Sequence, residues 1–176
     1  MLSKIISRVF ILALIILSTN SINNFSYAEV NDNKIEKSND IKWFPYDYGI
    51  KEAKRKNKKA LVVFYTDWCS YCKKLDGSFE NSEIQQTVNK NFIGIKVNCE
   101  SNNLIEYEGK KITESDFSKR LQVYGYPTTI IFDSENKFIE RINGYLNVKE
   151  LKTLFTFLEK GDYKNKSFYE FASQNK

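Results

Sequence analysis

Histidine is absent from the 176-residue chain, and other residues with special structural roles are scarce: there are two prolines, seven glycines and three cysteines. Zinc is usually held by four ligands drawn from cysteine and histidine, so three cysteines without histidine argue against a zinc site. We therefore predict no metal and no other cofactor. The low glycine and proline content also excludes fibrous and low-complexity proteins, and a hydrophobic fraction of 41% is sufficient for a packed core.

The chain carries little excess charge of either sign. Its 27 lysines and arginines exceed its 22 acidic residues by five, and Lys4 and Arg8 account for two of these because residues 1–28 contain no acid. The densest basic stretch, residues 51–59, is interpreted as the solvated face of a helix. This mild and mixed charge does not favour nucleic acid as a partner.

The N-terminus contains the three parts of a secretory signal peptide. Lys4 and Arg8 come first, Val9–Leu17 is an apolar run, and Ser26-Tyr27-Ala28 places small residues where a signal peptidase requires them. The apolar run falls short of the ~20 residues that cross a bilayer. The sequence predicts cleavage after Ala28, export to the periplasm or another extracytoplasmic space, and no stable membrane insertion afterwards. An uncleaved membrane anchor is the alternative.

The rest of the chain is predicted to form one α/β domain. Residues 29–41 are polar and form a flexible leader, residues 42–161 form the domain, and residues 162–176 form a short tail, interpreted as a docked helix. Strands that alternate with helices, followed by a hairpin and a last helix, predict a mixed sheet. The predicted strands are residues 61–65, 92–97, 128–132 and 138–142.

Polar residues mark where two of the predicted helices begin. Ser82 with Gln85 has the spacing of a capping box, and Thr113 is a candidate N-cap for a later helix. The apolar spacing predicts that this later helix places Leu121 and Tyr124 on its inner face, together with the phenylalanine at position 117.

The segment Trp68-Cys69-Ser70-Tyr71-Cys72 directly follows a predicted buried strand and begins a helix. At a helix N-terminus, free backbone N–H groups and the positive end of the helix dipole favour a thiolate at Cys69. Cys72 lies one turn later on the same face, close enough to form a disulfide. The sequence therefore predicts a redox-active pair, in which Cys69 attacks a substrate disulfide and Cys72 resolves the mixed disulfide.

Two other uses of the cysteine pair are alternatives to redox chemistry. A metal site lacks ligands, and a purely structural disulfide across so short a loop would constrain the unfolded chain little. The third cysteine, Cys99, ends a predicted strand and is interpreted as a small buried hydrophobe. A regulatory or intermolecular disulfide through Cys99 stays open because the number of cysteines is odd.

The cysteine motif and the segment Gly125-Tyr126-Pro127-Thr128 together resemble the thioredoxin superfamily, over residues 43–160. The resemblance implies a thioredoxin fold with a mixed central sheet flanked by helices on both faces. It also implies that Pro127 is cis and lies beside the cysteine pair, and that Trp68, Tyr126 and Pro127 contact the substrate. Residues 65–69 are most similar to the C-terminal domain of the transmembrane reductase DsbD. The loop after residue 97 and the aromatic tail resemble exported thioredoxins of the SoxW type.

This resemblance implies an exported thiol–disulfide oxidoreductase that reduces disulfides in client proteins and takes electrons from a membrane donor of the DsbD type. A disulfide oxidase or isomerase using the same pair is one alternative, and a non-enzymatic binding module is another. The intact cysteines and Tyr126-Pro127 argue against the binding module. One departure concerns the buried acid that thioredoxins carry in the strand before the motif, because this sequence has Val63 there.

Overall fold

A computed structural model describes residues 39–175 of the chain. The predicted signal peptide and most of the predicted leader lie outside the described residues. The strands, in chain order, are β1 (Trp43–Phe44), β2 (Lys59–Tyr65), β3 (Phe92–Asn98), β4 (Leu104–Tyr107), β5 (Lys110–Thr113), β6 (Thr128–Phe132) and β7 (Phe138–Asn143). The helices are α1 (Tyr46–Lys56), α2 (Ser70–Phe79), α3 (Ser82–Asn91), α4 (Glu114–Arg120), α5 (Val148–Lys160) and α6 (Phe168–Gln174).

Five of these strands form one mixed sheet in the order β1-β3-β2-β6-β7, while β4 and β5 form a separate hairpin. Strands β1, β3 and β2 run parallel to one another. Strand β6 pairs antiparallel with β2, and β7 pairs antiparallel with β6. The parallel pair β2 and β3 requires a crossover connection, which α2 and α3 provide. In this register Val63 of β2 lies between Lys96 of β3 and Thr129 of β6.

Helices cover both faces of the sheet because the side chains of the central strand alternate between two apolar cores. Leu61 and Val63 face one core, which is shared with α2, α3, α5 and α6. Val62 and Phe64 face the other core, which is shared with α1 and α4. The predicted mixed sheet flanked by helices on both faces is thereby confirmed.

Two predictions about helix ends were wrong. Helix α3 is capped by Asn81, whose side-chain oxygen accepts hydrogen bonds from the N–H groups of the second and third residues of the helix, so the predicted box from Ser82 to Gln85 is one residue late. Thr113 does cap α4, but that helix ends at Arg120. A left-handed residue, Gln122 with φ 55°, then turns the chain, and Tyr124 is 78% exposed instead of facing the core.

The C-terminal residues fold back on α5. Gly161, with φ 74°, ends α5, and Ser167 forms a capping box with Glu170 at the start of α6. Phe168 and Phe171 of α6 are buried against Phe157 of α5, with ring centroids 5.9 and 5.3 Å away. The predicted chain divisions at residues 28, 41 and 161 stay predictions. Among the helices of residues 39–175, none has the length and apolar character needed to span a bilayer.

Candidate active site

Cys69 is the N-cap residue of α2, four residues after the end of β2. Its backbone is extended, with φ −72° and ψ 106°, and its N–H donates to the carbonyl oxygen of Thr66 at 3.2 Å. Its sulfur accepts a hydrogen bond from the backbone N–H of Cys72 at 3.1 Å. The Cys69 sulfur thus occupies the place of a capping side-chain oxygen, where the positive end of the helix dipole favours negative charge.

Cys69 and Cys72 are joined in a disulfide whose Cα atoms lie 5.2 Å apart. Each of the two residues is only 5% exposed. Tyr71, the residue before Cys72, is by contrast 56% exposed. The Nζ of Lys74 lies 4.9 Å from the centroid of the Tyr71 ring. The disulfide therefore has only a small accessible area, and an exposed aromatic side chain lies beside it.

Trp68 is the most exposed of the predicted site residues, at 67%. Its indole N–H donates to both carboxylate oxygens of Glu100, at 3.0 and 3.1 Å. Its ring packs edge-to-face on Tyr126, with centroids 6.0 Å apart and an interplanar angle of 77°. The fold therefore brings together two of the predicted substrate-binding residues, which are far apart in sequence.

Pro127 follows a cis peptide bond, Tyr126–Pro127, and is buried where the chain enters β6. Its carbonyl oxygen accepts from the N–H of Gly144 at 2.8 Å, and the hydroxyl of Thr128 donates to the carbonyl oxygen of Gly125 at 2.8 Å. These bonds fix the segment from both sides. The Tyr126 ring packs against the apolar core shared with α1 and α4, and burial raises the pKa of its hydroxyl.

Cys99 carries a free thiol and is 5% exposed, so the prediction that it is buried is confirmed. Burial raises its pKa to about 11, although hydrogen bonds with the side chains of Ser118 and Tyr126 act in the opposite direction. A thiol that stays protonated is a poor nucleophile. Cys99 therefore differs in chemistry from the Cys69–Cys72 pair.

Sequence reasoning missed Glu100 and the contacts that join it to Asn98 and Asp67. The backbone N–H of Glu100 donates to the side-chain oxygen of Asn98 at 3.0 Å, and the Asn98 amide donates to Asp67 at 3.3 Å. Asn98 is the register partner of Tyr65, so the ends of β2 and β3 lie side by side. The convergence of carboxyl ends of parallel strands is the one signal that could have indicated this neighbourhood.

The position of the missing acid is apolar. Val63 is 1% exposed. The Nζ of Lys96, its register partner on β3, forms an ion pair with the Oδ1 of Asp76 on α2 at 2.7 Å. The hydroxyl of Thr129, the other register partner, has no hydrogen-bond partner among the described residues. Within residues 39–175, no group of three or more histidine, cysteine or acidic side chains is arranged to hold a metal ion.

Comparison with known proteins identifies the family. A family model described as a thioredoxin-like domain matches residues 46–159, and the chain belongs to this family. In structure it is similar to a thioredoxin-fold protein from Helicobacter pylori, with a TM-score of 0.56 and 20% identity over 68% of this chain and 80% of that one. The thioredoxin fold expected from the sequence is thereby confirmed.

Two curated relatives connect the chain to disulfide chemistry. The thiol:disulfide interchange protein DsbD of Photorhabdus laumondii is 29% identical over 94 residues, which are 52% of this chain and 15% of DsbD. Protein disulfide isomerase-like 1-1 of Arabidopsis thaliana is 27% identical over 100 residues, which are 57% of this chain and 18% of the relative. The chain thus spans less than a fifth of either relative. Together with the Cys69–Cys72 pair, these similarities support thiol–disulfide oxidoreductase chemistry at the level of the family.

Proposed function

We propose that the protein reduces disulfides in extracytoplasmic client proteins through the dithiol of Cys69 and Cys72. The observation that carries this proposal is the place of the pair at the N-terminus of α2, where the N–H of Cys72 donates to the Cys69 sulfur. In the reduced protein the same N–H and the helix dipole stabilise a Cys69 thiolate, which is the attacking species in disulfide exchange.

The reaction proceeds through two exchanges. The Cys69 thiolate attacks one sulfur of the client disulfide, which forms a mixed disulfide and expels the other client sulfur as a thiolate. Cys72 gives its proton to that thiolate and attacks the Cys69 sulfur, which forms the Cys69–Cys72 disulfide and releases the second client thiolate. Two electrons thus pass from the dithiol to the client, and a dithiol donor must return two electrons to the protein.

The client-binding surface in this proposal consists of Trp68, Tyr126 and Pro127. The exposure of Trp68 beside Cys69 supports its place in this surface, and the contact of Tyr126 with the Trp68 ring supports that of Tyr126. The carbonyl oxygen of Pro127 already accepts a hydrogen bond from the N–H of Gly144. In this proposal the backbone of Tyr126, the residue before it, therefore binds an extended client segment.

The residues between the cysteines support the reductive direction of this proposal. Ser70 and Tyr71 supply no cation to stabilise the thiolate, which leaves the helix dipole, worth typically ~0.3–1 kcal/mol. For a two-electron couple about 1.4 kcal/mol corresponds to 30 mV, so this stabilisation raises the potential only modestly. The pair is then expected nearer to thioredoxin, at about −270 mV, than to the strong oxidant DsbA, at about −120 mV.

Export and the electron donor belong to the same proposal. The basic, apolar and small-residue parts of residues 1–28 support secretion, which places the protein where client disulfides persist. The similarity to DsbD supports a membrane donor of that type, which would return electrons to Cys69 and Cys72.

The deciding measurement is the reduction potential of the Cys69–Cys72 pair, obtained by equilibrating the protein with glutathione or dithiothreitol. A value near −270 mV together with catalysed reduction of insulin supports the reductase. A value near −120 mV rejects it in favour of a disulfide oxidase or isomerase, the alternative that the similarity to protein disulfide isomerase-like 1-1 favours. Cys69→Ala and Cys72→Ala must each abolish turnover, and Glu159→Ala on α5 is the matched surface control.

A further inference from the structure

Trp68 is both highly exposed and firmly held. Its N–H donates to the Glu100 carboxylate at 3.0 and 3.1 Å, and its ring packs edge-to-face with Tyr126 at 6.0 Å between centroids. The two contacts hold the indole at its N–H and at its ring. Ordering a flexible side chain during binding costs free energy. An exposed aromatic ring that is already fixed before a partner arrives avoids this cost and so favours binding.

Glu100 is itself fixed by a closed series of hydrogen bonds. Asp67 accepts from the amide of Asn98, the Asn98 oxygen accepts from the N–H of Glu100, and the Glu100 carboxylate accepts from Trp68, the residue next to Asp67. The series links the end of β2 to the end of β3, which are held in register by Tyr65 and Asn98. The carboxylate therefore lies in the turn directly after β3 and is tied to the ends of both strands by these hydrogen bonds.

Tyr126, the other residue that holds Trp68, is itself fixed by its contacts. The side chain of Tyr126 is hydrogen-bonded to Cys99, the residue directly before Glu100, and its ring packs on the apolar core. Cys99 and Glu100, the two residues directly after β3, thus contact the two aromatic side chains beside the disulfide.

We propose that Glu100 is a positioning residue for client binding, which holds Trp68 in the orientation that contacts a disulfide-bearing polypeptide. This inference rests on the proposed function. Trp68, not Glu100, makes the contact with the client, and the sulfur chemistry belongs to Cys69 and Cys72. Loss of the Glu100 acceptor therefore weakens binding and raises KM, while kcat stays unchanged.

The test compares Glu100→Ala, which removes the acceptor, with Glu100→Gln, which removes the charge and keeps an acceptor oxygen. Turnover is measured with a disulfide-linked fluorescent peptide and dithiothreitol as the electron source. For Glu100→Ala we expect KM to rise about fivefold, as for the loss of one modest hydrogen bond, with kcat within about twofold. Glu100→Gln is expected to behave as the unaltered protein, and Glu159→Ala serves as the control.

A spectroscopic measurement separates positioning from a general structural effect. The chain has two tryptophans, so Trp43→Phe leaves Trp68 as the single reporter. Time-resolved fluorescence anisotropy should show faster local motion of Trp68 after Glu100→Ala and no change after Glu100→Gln. Trp68→Phe removes the N–H donor but keeps an aromatic ring, so combining it with Glu100→Ala should raise KM no further than either change alone.

Each contrary result has a defined meaning. Equal effects of Glu100→Ala and Glu100→Gln would show that the charge acts directly, and additive effects with Trp68→Phe would show that Glu100 does not act through Trp68; either overturns the inference. An unchanged KM and anisotropy after Glu100→Ala overturns it as well. If the unaltered protein shows no exchange activity, the proposed function itself fails.

Discussion

Replacing Phe168 by alanine tests whether α6 is part of the folded core. Phe168 is 3% exposed and lies 5.9 Å from Phe157 between ring centroids. Helix α6 has seven residues, too few to be stable in isolation, so it is helical because it is docked. Phenylalanine-to-alanine changes in cores cost roughly 3–5 kcal/mol. A terminal helix can relax or undock, which places the expected loss at the lower end, about 3 kcal/mol.

Urea denaturation followed by circular dichroism measures this loss. With a slope of about 2 kcal/mol/M, a loss of 3 kcal/mol lowers the unfolding midpoint by about 1.5 M. Phe138→Ala is the matched control, since Phe138 is 59% exposed on β7 and its loss should cost less than about 1 kcal/mol. Equal midpoint shifts for the two variants would refute the argument that α6 belongs to the core.

Four further predictions concern the thiols and the proline. In the reduced protein, alkylation across pH should modify Cys69 first and leave Cys72 protected; first reaction at Cys72 would reverse the assigned roles. Cys99→Ala should keep most reductase activity, whereas Cys69→Ala loses it. Burial raises the pKa of Cys99 from 9.0 to about 11, so the folded state keeps a proton that the unfolded state loses. The free energy of unfolding should therefore fall as the pH rises from 9 to 11, and Cys99→Ala should make that fall shallower; an identical slope would contradict the assigned burial. Pro127→Ala should lower turnover more than it lowers the urea midpoint, and the opposite order would indicate a purely structural proline.

The elements that the sequence predicts best are those whose signal is local. From Ala60 to Tyr65, strand β2 is a continuous run of apolar and β-branched residues, and such a run can be recognised without knowing its neighbours in the sheet. Strand β1 has two residues, Trp43 and Phe44, and is a strand only because it pairs with β3. The cap of α3 was misplaced by one residue because Asn81 and Ser82 are both good capping residues, and only the backbone conformation selects between them.

The candidate site divides in the same way. The spacing of Cys69 and Cys72 between a strand and a helix is a local signal within residues 61–72, so the sequence predicts both residues. Glu100 lies 32 positions after Trp68, and their hydrogen bond exists only because β2 and β3 end at the same edge of the sheet. Contacts of this kind depend on strand order and register, which sequence periodicity does not contain.

The apolar setting of Val63 bears on how Cys72 loses its proton. A carboxylic acid at this position in β2 would be a buried proton acceptor beneath α2, but valine cannot take that role. Asp76 reaches the same side of the sheet and is occupied by its ion pair with Lys96, and the Thr129 hydroxyl is not a base at neutral pH. In the proposed reaction, the client thiolate expelled when Cys69 attacks is a base that can take this proton, because it is formed beside Cys72 and has an ordinary thiol pKa. If the protein acts as proposed, proton transfer to the leaving client is part of resolution. Val63, which cannot serve as a proton acceptor, also spares the core a buried charge that would have needed a partner.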